Sequence, residues 1–206
     1  MSGRQSAGSD CLTDTTIPSW WLYVRMDQMF APWRIDWVER EDKNADIDGC
    51  PFCVLPESDD DRSNLVVAES NAAFVLLNNY PYNPGHAMVI PRRHVGSYAE
   101  LTEAELLEHA RLKQVTLRAL EAGLHPDGVN TGMNLGDGAG GSIGDHIHTH
   151  IVPRWTGDTN FMPVVGESKV IVEAVDDTYE RLHEGFAAQP EAQTDDAEQA
   201  IEIAFE

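Results

Sequence analysis

Three histidines occupy every second position in the segment HIHTHIV, which starts at position 146. Side chains of a β-strand alternate between its two faces, so His146, His148 and His150 would form a row of imidazoles about 7 Å apart on one face. A single strand histidine is usually an ordinary surface residue, whereas three in strict alternation bring nucleophiles and general bases to one ligand. This row is therefore the leading candidate for a catalytic site.

A glycine-rich loop, DGAGGSIGD, stands directly before the histidines. Glycines let the backbone approach an anion closely and turn successive N–H groups toward it, which makes a phosphate-sized nest without cationic side chains. By itself such a loop is more commonly a flexible surface connection. Beside the histidine row it predicts a phosphate site that includes Gly140 and Gly141.

A pair of cysteines lies in a short turn, GCPFC, where two residues separate Cys50 from Cys53. This spacing presents two thiolates to one tetrahedral metal ion, but it supplies only half of a zinc site. A reduced, buried pair is the alternative, and a redox role is disfavoured because no thioredoxin-like βαβ pattern surrounds the turn. The third cysteine, Cys11, has no expected role. Three cysteines are too few for a disulfide scaffold, which favours an intracellular protein.

The composition excludes several classes of partner. The chain has 206 residues, with 14 basic against 35 acidic side chains and a formal net charge of −21. Such a surface repels phosphate backbones and anionic lipids, so we expect neither nucleic acid nor a membrane as partner. The sequence has neither a signal-peptide pattern nor an apolar run near the roughly 20 residues of a membrane helix, and we expect a cytoplasmic protein. The carboxylate excess also leads to the hypothesis of a halophilic protein in a salt-rich habitat.

The elements that must position these residues follow an α+β order. Apolar or β-branched runs predict five strands, at 64–69, 72–78, 86–94, 129–136 and 146–154. The segment 101–124 has leucines at helical spacing behind a capping box of Thr102 and Glu105, and a second helix is predicted within 167–186. Because strands and helices do not alternate regularly, we expect an antiparallel sheet with one long helix and a C-terminal helix. Histidines expected to be solvated on helix or turn surfaces are His109, His125 and His183.

Both ends of the chain differ in composition from its middle. Residues 1–28 are polar and irregular, which predicts a disordered leader. Lys and Arg are absent after Arg181, while carboxylates accumulate, so 185–206 is predicted to be a disordered acidic tail. The folded domain is expected at 29–184.

The segment HIHTHIVPR resembles the His-φ-His-φ-His-φ-φ signature of the histidine triad superfamily, in which Thr149 is the one departure from an apolar φ position. The resemblance extends through PGHAMVIPRRH, LNNYPYNPGH, GMNLG and AGGS and covers about residues 30–183. The combination of APWR, CPFC, NLGDGAGGS and PRWTGDTNF is most similar to the branch of dinucleoside polyphosphate phosphorylases and hydrolases. It is less similar to the shorter purine nucleoside phosphoramidases.

The resemblance implies roles for the three histidines. His148 would attack the α-phosphorus of a nucleotide and form a nucleotidyl-histidine, with its Nδ1 proton held by a backbone carbonyl. His150 would stabilise charge on the phosphate and leaving oxygens, and His146 completes the catalytic group. Water or inorganic phosphate would then open the intermediate.

The resemblance also implies substrate-binding residues. Ser142, after Gly141, stands where the family has a phosphate-contacting glutamine, and its smaller side chain favours phosphate as the second nucleophile. Asn78 falls at a ribose-binding position, with a turn residue at a strand end as the alternative. Asn134 is a further candidate near the phosphate loop. His86 matches a fourth family histidine, or else is a core histidine with satisfied hydrogen bonds.

In zinc-bearing members of the family, two histidines that His94 and His146 resemble complete the site begun by Cys50 and Cys53. The resemblance therefore implies structural Zn²⁺, no organic cofactor and a homodimer. The expected function is cleavage of dinucleoside polyphosphates such as diadenosine tetraphosphate. Alternatives are a purine nucleoside phosphoramidase or adenylyl-conjugate hydrolase that uses His148, a nucleotide-binding signalling protein, and a zinc-binding interaction module.

Overall fold

The computed structural model describes residues 49–140, 143–158, 174–193, 196 and 198–205. Three segments with predicted features lie outside these described residues. They are the leader at 1–28, the phosphate-loop residues Gly141 and Ser142, and the first part of the predicted second helix, at 167–173.

The described strands are β1 (Val66–Glu69), β2 (Ala73–Leu77), β3 (Ala87–Pro91), β4 (Gly128–Gly132), β5 (Thr149–Arg154) and β6 (Ile201–Glu202). They form one sheet in the order β4-β5-β3-β2-β1-β6, in which β1 and β6 run parallel and all other neighbours antiparallel. The described α-helices are α1 (Pro51–Val54), α2 (Asp61–Asn64), α3 (Glu103–Leu124) and α4 (Val175–Ala187). This architecture confirms the predicted α+β class. In the part of the chain described here, none of the helices is long and apolar enough to cross a membrane.

The sheet separates two apolar layers. On one face, Val75 and Val89 pack with residues of α3 and α4 in the main core. On the other face, Phe74 and Ile90 pack against Phe52 of α1. Strands β2 and β3 are therefore buried on both sides, which explains why their sequences are apolar throughout.

Helix α3 begins at the predicted capping box. The Glu105 N–H donates to Thr102 Oγ1 at 3.3 Å, and the Thr102 N–H donates to the Glu105 carboxylate at 2.8 Å. Arg93 pairs with the same carboxylate at 2.7 Å. The hydrogen bonds from Arg93 and Thr102 lower the pKa of Glu105 to about 2. These contacts fix the start of the helix that covers the core face of the sheet.

The predicted turn between β2 and β3 brings His86 to the start of β3. Gly85 has a φ of +75°, a left-handed conformation that favours glycine, and a Cβ at this position would lie 2.3 Å from Leu124 Cδ1, so that side chain would have to move. The Asn83 side chain donates to the Pro153 carbonyl at 2.9 Å and holds the turn against β5.

The prediction of a disordered tail at 185–206 is wrong for the described residues of that segment. Helix α4 continues into it, and β6 adds an edge strand in which Ile201 lies opposite Ala68 of β1. Ile201 is fully buried and Ile203 is 3% exposed, while Glu202 between them faces solvent. A strand needs only alternate apolar residues, so carboxylates on the other face do not prevent it from joining the sheet.

Two histidines that were expected at the surface are buried. His109 and His183 are 3% and 6% exposed, because each lies on the side of its helix that faces the protein interior. Their Nε2 atoms contact backbone carbonyls, His109 that of Val89 at 3.3 Å and His183 that of Gln199 at 3.0 Å. His125, at the end of α3, is exposed as predicted.

Candidate active site

The three alternating histidines form a row on the face of the sheet away from α3. Strand β5 begins at Thr149, so the prediction that they share one strand is wrong for His146 and His148, which precede it. The ring centroids of His148 and His150 lie 4.8 Å apart, with the rings at 83°. They are closer than the about 7 Å strand repeat because the two rings lean together edge to face.

His148 is oriented by a backbone carbonyl, as the family resemblance implied. Its Nδ1 lies 3.0 Å from the His146 carbonyl oxygen. A carbonyl can only accept, so Nδ1 carries the proton, and Nε2 of the neutral ring keeps its lone pair. Burial lowers the pKa of His148, which favours this neutral form. His148 therefore has the tautomer that a nucleophile needs.

His150 has the opposite tautomer. The Tyr82 N–H donates to His86 Nδ1 at 3.2 Å, so the proton of neutral His86 is on Nε2. His86 Nε2 lies 3.0 Å from His150 Nδ1 and donates to it. The proton of neutral His150 is therefore on Nε2, where it can be donated to an anion. The Tyr82 ring also stacks on His86, with centroids 5.0 Å apart.

Phe52, which was not among the predicted site residues, contacts the row directly. Its ring centroid lies 5.0 Å from that of His148 and 5.6 Å from that of His146. Phe52 is 4% exposed and packs into the apolar layer beneath the site. The one sequence signal is its place between the two cysteines, where the turn must bring it next to any histidine that shares their ion.

The four predicted metal ligands lie together. Cys50 Sγ is 3.4 Å from His146 Nδ1, and Cys53 Sγ is 3.6 Å from the same nitrogen and 3.3 Å from His94 Nδ1. All four donor atoms lie within 4.8 Å of one another. Around a tetrahedral zinc ion, bond lengths of about 2.3 Å to sulfur and 2.0–2.1 Å to nitrogen place neighbouring ligand atoms about 3.6 Å apart. The donor set therefore fits zinc.

Groups around these ligands hold the histidines in suitable tautomers. His146 Nε2 donates to the Pro91 carbonyl at 2.8 Å, which leaves Nδ1 with a lone pair directed at the cysteines. His94 Nε2 lies 3.7 Å from the Asp145 carboxylate, which favours the same arrangement. His146 thus serves two sites, because its ring faces the cysteines while its carbonyl orients His148.

The described substrate-binding candidates lie in two regions, the turn between β2 and β3 and the loop after β4. His86 is fully buried and joins the histidine row. Asn78 Oδ1 accepts the Tyr80 N–H at 2.9 Å, a contact that fits its alternative as a turn residue, and its ribose-binding role stays a prediction. Asn134 and Gly140 are exposed in the loop that leads from β4 toward the row, and Gly140 has a φ of +77°.

The chain is similar to several known proteins. The family model described as "HIT domain" matches residues 60–157. The chain is 38% identical over 171 residues to a protein of Mycobacterium tuberculosis named AP-4-A phosphorylase, covering 81% of this chain and 87% of that one. A Zn-bound histidine triad family protein from Mycobacterium smegmatis superimposes with a TM-score of 0.54 at 26% identity, over 68% of this chain and 94% of that one. A hypothetical histidine triad nucleotide-binding protein from Sulfolobus tokodaii gives a TM-score of 0.52 at 29% identity, over 66% and 89%. The chain therefore belongs to the histidine triad (HIT) family.

Proposed function

We propose that the protein cleaves dinucleoside polyphosphates, such as diadenosine tetraphosphate, at the α-phosphate through a nucleotidyl-His148 intermediate. The observation that carries the proposal is the opposite tautomers of two adjacent histidines. His148 keeps a lone pair on Nε2, and His150 a proton on Nε2, with ring centroids 4.8 Å apart. The 38% identity to a protein named AP-4-A phosphorylase supports the substrate class.

The first step is an in-line displacement. Nε2 of His148 attacks the α-phosphorus, the bond to the bridging oxygen breaks, and the rest of the substrate leaves with the bonding electron pair as ATP. His150 donates its Nε2 proton in a hydrogen bond to the phosphate or the leaving oxygen and so stabilises the charge that develops there. The adenylyl group remains on His148.

In the second step we propose that inorganic phosphate attacks the intermediate and releases ADP. Two observations favour phosphate over water. Ser142 stands in the sequence where the family has a larger glutamine, and the relative from M. tuberculosis carries the name of a phosphorylase. Attack by water would release AMP instead.

Product analysis tests both steps. Purified protein is incubated with diadenosine tetraphosphate with and without inorganic phosphate, and the nucleotides are separated. ADP plus ATP, formed only with phosphate, is the expected result, and AMP plus ATP would replace phosphorolysis with hydrolysis. Rapid cleavage of an adenosine phosphoramidate without turnover of the tetraphosphate would move the protein to the phosphoramidase alternative. His148→Ala should be inactive, and His125→Asn, at an exposed site, serves as the matched control.

We also propose that Cys50, Cys53, His94 and His146 hold a structural zinc ion. Four protein ligands close the coordination sphere, so the ion would tie α1 to the sheet and provide no open position for substrate. The homodimer, the cytoplasmic location and the salt-rich habitat stay predictions from the sequence.

A further inference from the structure

A buried histidine reaches the catalytic strand from behind the sheet. Nε2 of His109, on α3, lies 3.1 Å from Thr149 Oγ1 and 3.3 Å from the Val89 carbonyl oxygen. Val89 and Thr149 are partners in the pairing of β3 with β5. Because strand side chains alternate, Thr149 faces α3 while His148 and His150 face the site.

The contact lies at the end of the pairing between β3 and β5. The pairing of β3 with β5 ends at Val89 and Thr149, and His148 is the first residue beyond it. Strand ends open more readily than strand centres, because fewer backbone hydrogen bonds and apolar contacts hold them. A group that fastens the final pair therefore also limits the movement of the His148 main chain.

The two side chains are chemically matched. Thr149 is 2% exposed and His109 is 3% exposed. Without His109, the buried Thr149 hydroxyl would lose the side-chain partner that the structure shows for it, and without Thr149 the His109 Nε2 would keep only the Val89 carbonyl. Thr149 is also the residue that departs from the apolar pattern of the histidine triad, and His109 accounts for that departure. Burial lowers the pKa of His109 and keeps the ring neutral. Since the Val89 oxygen can only accept, the proton is on Nε2, and Thr149 Oγ1 shares it.

We infer that His109 is a positioning residue which, with Thr149, holds the start of β5 against β3 and so fixes the main chain of His148. The catalytic consequence rests on the proposed nucleophilic role of His148. The restraint of the main chain at residues 147–149 does not rest on that role, because it concerns only how firmly this segment is held.

Three variants test the inference. Thr149→Val keeps the shape of the side chain and removes the hydroxyl, and Thr149→Ser keeps the hydroxyl. Thr116→Val is the matched control, because Thr116 is a fully buried threonine of α3 whose hydroxyl donates to the Leu112 carbonyl at 2.8 Å. For each variant, kcat and KM are measured with diadenosine tetraphosphate and inorganic phosphate, together with Tm and the exchange rate of the Ile147 amide, which donates to the Val95 carbonyl at 2.8 Å.

Thr149→Val should lower kcat about 10- to 100-fold with KM changed less than about twofold, because a small displacement of a nucleophile affects the chemical step most. It should also speed exchange of the Ile147 amide about tenfold. Thr149→Ser should restore both values to within about threefold of the original protein. Thr116→Val should lower Tm while kcat and Ile147 exchange stay unchanged.

A double-mutant cycle completes the test. If the pair acts as a unit, His109→Leu combined with Thr149→Val lowers kcat no further than either change alone. Multiplying effects on kcat, or a Thr149→Val variant with lower Tm but the original kcat, would overturn the inference. If the unmodified protein does not cleave the tetraphosphate, the proposed function fails, and Ile147 exchange alone decides the positioning role: faster exchange in Thr149→Val supports it, and unchanged exchange rejects it.

Discussion

His86 donates a hydrogen bond from Nε2 to Nδ1 of His150, across 3.0 Å. The direction of this bond depends on the main chain, because the Tyr82 N–H donates to the other nitrogen of His86. The tautomer of His150 is therefore determined by a backbone N–H that is two hydrogen bonds away from its ring. His148 receives the opposite tautomer from the His146 carbonyl, so backbone groups at two places define a donor and a lone pair side by side.

Removing His86 should therefore impair catalysis more than binding. His86→Phe keeps an aromatic ring in the buried position but leaves the tautomer of His150 undefined, and we expect kcat to fall about 10- to 100-fold with little change in KM. His86→Gln retains an N–H that can donate to His150 and should lose less. Nitrogen chemical shifts of the histidine side chains report the tautomer directly. Equal kcat for His86→Phe and the original protein would contradict this role.

The site could be predicted from the sequence only where neighbours in the chain are also neighbours in space. The alternation of His146, His148 and His150 and the spacing of Cys50 and Cys53 are local patterns, and each survives folding. The prediction that His94 and His146 share a metal ion with the two cysteines depended on the family resemblance, since His94 is 41 residues away from Cys53 along the chain.

Other parts of the site depend on tertiary contacts that leave no local signal. The Tyr82 N–H is a backbone group, so the side chain at that position does not reveal its use. His109 looks like a solvated helix residue until the packing of α3 on the sheet is known. Among the elements of the fold, the capping box at Thr102 was predicted from the sequence. Strand β6 was not predicted, because Ile201 stands among acidic residues.

Phe52 should contribute both to stability and to the order of the histidine row. Phe52→Ala removes a buried ring that contacts His146 and His148, and we expect a loss of about 3–5 kcal/mol in the free energy of unfolding. Val54→Ala, on the same helix but 44% exposed, should change it by less than about 0.5 kcal/mol. Urea unfolding with equal metal content in all samples measures both. Similar small losses in the two variants would show that the ring packing contributes little.

Metal removal should destabilise the protein through α1. We expect about one zinc ion per chain as purified, and a chelator that removes it should lower Tm by about 4–8 °C if the ion contributes about 2 kcal/mol. Cys53→Ser should lower both the zinc content and the starting Tm, and its Tm should not respond to the chelator. Zinc content near zero in the original protein, measured by metal analysis, would remove the proposed site.

Stability should decline as the pH falls below about 6.5, in part because of His109. Burial holds the pKa of His109 below its ordinary value of 6.5 in the folded state. Between the folded and unfolded pKa values, only the unfolded chain binds the proton, so stability is lost as pH falls from about 6.5 and is unaffected above about 7.5.

Replacing His109 by leucine should reduce the slope of unfolding free energy against pH by up to about 1.4 kcal/mol per pH unit in that window. His125→Asn is the control, because His125 is exposed and asparagine tolerates its φ of 50°. Urea unfolding at intervals between about pH 5 and 7.5 gives the slopes. A slope for His109→Leu equal to that of the original protein would mean that His109 takes up its proton in the folded state as well.

The C-terminal strand should contribute to global stability in spite of its acidic surroundings. Ile201 is fully buried opposite Ala68, so Ile201→Ala should cost about 2–5 kcal/mol of unfolding free energy. Glu202→Ala, one residue later, changes an exposed side chain on the same strand and should have an effect within about 0.5 kcal/mol. Urea unfolding at constant salt compares the two. Because a disordered tail would make both substitutions silent, the difference between them measures how firmly β6 is bound to the sheet.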